Sequence, residues 1–159
     1  LITTGGASVG DYDYIGKILQ DLGAEVLFNK VAMRPGSVTT VAVKGEQWIF
    51  GLSGNPASCY VGLELFVRPV LKSALGANNL HLARCRAILQ EAVLTANPYT
   101  RFMRGIVETD GHRLVARSAG IDKPGMVTAL SKANALIVIP GGSPPLDAGA
   151  EVDVLMLNG

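Results

Sequence analysis

The stretch Thr4-Gly5-Gly6-Ala7-Ser8-Val9-Gly10-Asp11-Tyr12-Asp13 decides how this chain folds. The residues up to Thr4 are apolar or β-branched and read as the end of a strand. Tyr14, Ile15, Ile18, Leu19 and Leu22 then recur at helical spacing, with Gly23 placed to stop the helix. A glycine-rich link between strand and helix lets backbone approach a ligand closely, and the helix directs its free N–H groups back at the loop, so anions are favoured there. Ser8 adds a hydroxyl donor. Asp11 and Asp13 set carboxylates at the rim of this anion site, where they would repel a phosphate unless a cation stood between them; Mg²⁺ shared by carboxylates and phosphate oxygens is the usual solution. The plainer alternative is a tight turn with Asp13 as the helix cap. The spacing fits neither a Walker loop nor the dinucleotide fingerprint.

Downstream, a strand is expected over 26–32, and two more over 38–43 and 47–52 form a hairpin around Lys44-Gly45-Glu46. A second glycine loop follows, Gly51-Leu52-Ser53-Gly54-Asn55-Pro56-Ala57-Ser58, again leaving a strand and entering a helix. Asn55 suits the N-cap and Pro56 the first helical position. Leu63, Phe66, Val67, Val70 and Leu71 share one face of this helix, and Pro69 is expected to kink it. Ligands of open α/β sheets bind beyond the carboxyl ends of the strands, so two loops at such ends make a cleft. Between them lies Lys30-Val31-Ala32-Met33-Arg34-Pro35-Gly36-Ser37, in which Arg34 occupies a turn that could aim its guanidinium at an oxyanion.

Gly76-Ala77-Asn78-Asn79 has cap and linker composition, and the expected domains are 1–78 and 79–159. Beyond it no sustained helical period is visible. Short β-type runs occupy 84–89, 102–109, 113–117, 126–130, 135–139 and 152–157, and Asp110-Gly111 is a hairpin signal between two of them. The second half is therefore expected to be all-β, a small barrel or sandwich, with Pro140-Gly141-Gly142-Ser143-Pro144-Pro145 as a rigid loop.

Composition narrows the function classes. Of 159 residues, 48% are hydrophobic and 17% charged, and the formal net charge is only +1, which gives a nucleic-acid partner no electrostatic support. The longest apolar run, 135–139, is far below the roughly 20 residues of a membrane-spanning helix. Cys59 and Cys85 lie in different predicted elements without a Cys-x-x-Cys pattern and read as buried free thiols of a reducing compartment. His81 and His112 stand alone and receive no role. The chain opens on a strand without an initiator Met, as expected of a segment of a longer protein.

GGASVGDYD, then VAMRPG, then GLSGNPAS leading into ELFVRP resemble, in this order and spacing, the C-terminal half of molybdopterin molybdenumtransferases and their relative gephyrin. The resemblance extends over nearly the whole chain to Leu146-Asp147-Ala148-Gly149. It implies an incomplete three-layer α/β/α molybdopterin-binding domain followed by a small all-β barrel domain. It also implies a cytoplasmic, homodimeric full-length enzyme that moves molybdenum from molybdate to adenylylated molybdopterin in a Mg²⁺-dependent step releasing AMP, with this part inactive alone. The alternative is a gephyrin-like scaffold that uses the same architecture to hold peptides. Asp13 matches the family's functional aspartate, with Asp11 as a second acidic metal ligand; Gly5, Gly6, Ser8, Gly10, Arg34, Gly54, Asn55 and Pro56 are the implied ligand-binding positions. Ser37 and Ser53 depart from the family pattern, standing where lysine and proline are common.

Overall fold

The computed structural model of the chain describes residues 1–6, 14–120 and 131–157 and divides into two compact units, Leu1–Ala77 and Asn78–Gly159. The expected 126–130 run falls outside the described residues, as do Ser8, Gly10, Asp11 and Asp13 of the first loop.

In the first unit β1 (Ile2–Thr4), β5 (Gln47–Leu52), β4 (Thr40–Lys44) and β2 (Glu25–Phe28) form a four-stranded sheet in the order β1-β5-β4-β2. β1 and β5 are parallel, with Thr4 opposite Leu52, whereas β4 pairs antiparallel with β5 and with β2. Side chains of a strand alternate between faces, and both faces of β4 and β5 are apolar here. Val41, Phe50 and Leu52 pack beneath Val67, Leu63, Phe66 and Val70, while Ala42 and Ile49 pack against Leu19 and Ile15 of helix α1 (Tyr14–Asp21). Helices thus cover both sides of the sheet, an α/β/α arrangement. Gly23 ends α1 at φ +64°, with the Gly23 and Ala24 amides donating to the Gln20 and Leu19 carbonyls, the hydrogen bonds of a Schellman cap.

Two expectations are corrected here. The strand expected over 26–32 ends at Phe28, and Met33–Arg34 form a separate two-residue strand, β3. A register irregularity between Val26 and Phe28 marks the break, and the Val31 amide turns away to the Ser37 carbonyl at 2.9 Å. The second helix is not one continuous α-helix up to Pro69. It runs as α2 (Pro56–Gly62), a π-helical turn (Leu63–Val67) and α3 (Arg68–Ala74), with the Arg68 amide donating to the Leu63 carbonyl. Proline has no N–H for the carbonyl four residues back, and the widened turn makes room for its ring.

In the second unit the strands β6 (Ala83–Leu89), β7 (Thr100–Asp110), β8 (Arg113–Ser118), β9 (Ala135–Ile139) and β10 (Glu151–Met156) follow the order β7-β8-β6-β10-β9, and β7 pairs with β9 to close a five-strand barrel. Ser131 and Lys132 are helical just before β9. β7 serves two partners by switching at Gly105, which is opposite Ser118 on one side and Ala135 on the other. A Cβ there would sit 2.6 Å from the buried Ile137 side chain, so only glycine lets the strand turn this corner. Gly111 at φ +60° opens the two-residue link from Asp110 to Arg113, as the Asp-Gly signal anticipated. Asn134 extends the closure: its side chain accepts from the Val107 amide at 2.7 Å and donates to the Val107 carbonyl at 2.8 Å.

On the barrel surface Asp153 of β10 accepts hydrogen bonds from Arg84 of β6, and Arg86 bonds Glu151 at 2.6 Å. The Arg84 hydrogen bond, aided by both arginine charges, holds the Asp153 carboxyl below its ordinary value. A carboxyl depressed in the native state stabilises the fold above its unfolded value, and that contribution is lost as pH falls through the native value. Asp153→Asn is therefore expected to be less stable than wild type at pH 7, with the gap closing below roughly pH 4. Urea unfolding at pH 7 and pH 3 checks this; a gap as wide at pH 3 as at pH 7 would contradict it.

Candidate functional site

The carboxyl ends of the parallel neighbours β1 and β5 bring the two glycine loops together. The Gly5 amide donates to the Leu52 carbonyl at 3.0 Å, and a Cβ on Gly54 would lie 3.3 Å from Gly5 Cα, so the loops touch backbone to backbone. Beside this contact opens a cleft of about 350 Å³ lined by Gly5, Gly6, Gly36, Ser37, Val38, Ser53, Gly54, Asn55 and Ser58. Of the expected ligand-binding residues the structure brings Gly5, Gly6, Gly54 and Asn55 to this cleft. Arg34 is exposed on β3, and neither it nor Pro56 lines the cleft.

Asn55 is the N-cap of α2: its Oδ1 accepts from the Ala57 amide at 3.0 Å and the Ser58 amide at 3.3 Å, and the Cys59 amide goes to the Asn55 carbonyl. Since Pro56 has no N–H, the first turn of α2 has no spare donor for a ligand. Donors come instead from the loops. The amides of Gly6, Ser37 and Gly54 and the hydroxyls of Ser37 and Ser58 engage no partner among the described residues. Ser53 has a local task, accepting the Asn55 amide at 3.2 Å. Among the described residues the lining carries no charged side chain, so this wall suits an oxyanion by hydrogen bonding.

Gly36 is fixed by geometry. Its φ of +91° is open to glycine, and a Cβ would meet Met33 Cε at 3.0 Å and the Ser58 carbonyl at 3.2 Å. Gly36, Val38 and Ser58 were not singled out by the sequence reading, and Ser37 and Ser53 entered it only as departures from a pattern. The available signal was a serine beside each turn glycine, Gly36-Ser37 and Ser53-Gly54.

The described wall offers hydroxyl, amide and carbonyl groups but no carboxylate, and no set of three His, Cys, Asp or Glu residues that could hold a metal occurs among the described residues. The described wall by itself does not suit a Mg²⁺ ion, which prefers carboxylates together with phosphate oxygens. Cys59 and Cys85 are half-buried free thiols rather than fully buried ones, and burial pushes the Cys59 thiol up. No helix among the described residues is long and apolar enough to cross a membrane.

Residues 1–73 match the family described as "Probable molybdopterin binding domain", and residues 86–157 match "MoeA C-terminal region (domain IV)". The chain is 50% identical over 158 residues to the molybdopterin molybdenumtransferase of Bacillus subtilis and 47% identical over 156 residues to that of Staphylococcus aureus, covering 99% and 98% of this chain. It spans 37% of the length of each of these relatives. A crystal structure of the molybdopterin biosynthesis MoeA protein from Pyrococcus horikoshii matches 99% of this chain and 37% of its own at a TM-score of 0.80 and 29% identity. A molybdenum cofactor biosynthesis protein from Pyrococcus furiosus matches 91% of this chain and 54% of its own at a TM-score of 0.67 and 25% identity. With both domain matches in sequence on one polypeptide, the chain belongs to the molybdopterin molybdenumtransferase (MoeA) family.

Proposed function

We propose that the protein carrying this chain works in molybdenum cofactor biosynthesis, transferring molybdenum from molybdate to adenylylated molybdopterin with release of AMP, and that the two glycine loops form one wall of its substrate site. The observation that carries this reading is the cleft at the carboxyl ends of β1 and β5, whose described lining offers amides and hydroxyls with no partner among the described residues. Such a wall recognises phosphate oxygens through fixed dipoles in the way a backbone nest does. The glycines allow close approach, and the hydroxyls of Ser37 and Ser58 orient the phosphate-bearing part of the substrate. Asp11 and Asp13 would hold a Mg²⁺ ion, which would neutralise phosphate charge that the described wall does not neutralise by itself. Arg34 supplies a cation outside the cleft lining. Ser8 and Gly10 stand in the same stretch of sequence as the two aspartates.

The test is AMP release by the intact protein given adenylylated molybdopterin, molybdate and Mg²⁺. Wild type is expected to release AMP, and Asp13→Ala to slow it at least about tenfold, the loss typical when one group that holds or orients a metal is removed. Absence of AMP release from wild type, or full activity of Asp13→Ala, would contradict the proposal.

A further inference from the structure

Thr39 is 1% exposed, so its hydroxyl cannot turn to bulk water and must find a protein partner. It donates to the Gly36 carbonyl at 2.9 Å. That carbonyl and the Ser37 amide belong to one planar trans peptide unit, in which C=O and N–H point in opposite directions. Fixing the carbonyl toward buried Thr39 therefore turns the Ser37 N–H away from the interior, on a residue that lines the cleft. The Ser37 amide has no other partner among the described residues. Thr39 also links this loop to α2: its Oγ1 is 3.6 Å from where a Cβ on Gly62 would stand, with Gly36 close to the Ser58 carbonyl on the same helix.

We propose that Thr39 is a positioning residue whose hydroxyl sets the Gly36–Ser37 peptide so that the Ser37 amide and hydroxyl are presented together to a phosphate oxygen of the substrate. Its role is in holding the ligand, not in the chemical step. A threonine bonded to a carbonyl three residues back is a common local motif; here that motif orients a donor that has no partner among the described residues. The inference rests on the cleft being the site of the phosphate-bearing substrate.

Thr39→Val keeps the shape and removes the hydroxyl, whereas Thr39→Ser keeps the hydroxyl and removes a methyl. In the intact protein, assayed for AMP release, Thr39→Val is expected to raise KM for adenylylated molybdopterin about fivefold, the effect of one lost hydrogen bond, with kcat changed less than about twofold. Thr39→Ser is expected to stay within about twofold of wild type in both. A normal KM in Thr39→Val, or Thr39→Ser as impaired as Thr39→Val, overturns the proposal. Should Thr39→Val not fold, Thr39→Ser decides: a near-normal KM supports it and a raised one overturns it. Gly54→Val, measured in parallel, separates the two levels of failure. If it impairs the enzyme while Thr39→Val does not, only the role of Thr39 falls; if it leaves KM and kcat unchanged, the cleft is not the substrate site and the inference falls with that reading.

Discussion

Gly54→Val is expected to lower kcat/KM of the intact protein for adenylylated molybdopterin by about a hundredfold while leaving its melting temperature nearly unchanged. Gly54 is exposed and its φ is not positive, so a side chain meets no dihedral strain. What changes is space. A Cβ at 3.3 Å from Gly5 Cα needs a shift of a few tenths of an ångström where the two loops touch, and the valine methyls add bulk to the lining of a cleft of only about 350 Å³. Displacing reacting groups by about 1 Å commonly costs about a hundredfold in rate. Gly54→Ala, with one methyl and the same small shift, should fall between the two. Steady-state AMP release and thermal melts on the three proteins check the series; a fully active Gly54→Val would mean that substrate does not touch this wall.

Much of this site was legible because its parts are local. A strand ending in Thr4-Gly5-Gly6, the Asn55-Pro56 cap and the hairpin centred on Gly45 are all dictated by neighbours in sequence, as is the turn at Gly111. Periodicity also carried the buried strands, since Val41/Ala42 and Ile49/Phe50 supply apolar groups to both faces of the sheet. Convergence was not legible. That Gly36, Ser37 and Ser58 meet Gly5 and Gly54 depends on how three loops are placed by the sheet, and no single-chain pattern encodes it. The 26–32 run misled because Val31 and Ala32 look like strand residues, while the hydrogen bond that decides their conformation goes to Ser37, six residues beyond Val31. Charge and turn context mark Arg34 as an anion ligand, and the structure places it exposed on β3, outside the cleft lining. The π-helical turn was hidden too: Pro69 announces a disturbance, but not that the turn before it widens.

The same turn carries the second large effect. Glu64 is a carboxylate in a helix interior that charge patterning would leave in solvent, yet it is 2% exposed. Arg68 answers it with both arms of its guanidinium, Nε at 2.5 Å and Nη2 at 2.8 Å. This bond holds Arg68 above its already high ordinary value, and burial followed by the Glu64 charge pushes the Tyr60 hydroxyl up as well. Breaking a buried pair by removing one partner costs about 3–5 kcal/mol, because a charge is left without compensation. Arg68 is 29% exposed, so water can reach the site, and Arg68→Met is expected to cost nearer about 2–3 kcal/mol. Glu64→Leu should cost less, since the freed guanidinium can swing into solvent. In the double variant Glu64→Leu/Arg68→Met neither charge remains and two apolar chains can pack beneath Val67, so its stability should return to within about 1 kcal/mol of wild type. Urea unfolding of the four proteins at pH 7 gives the coupling directly. Additive losses would mean that the pair contributes nothing as a pair, and that the π-helical turn is held by Pro69 and the apolar contacts of Leu63, Phe66 and Val70 alone.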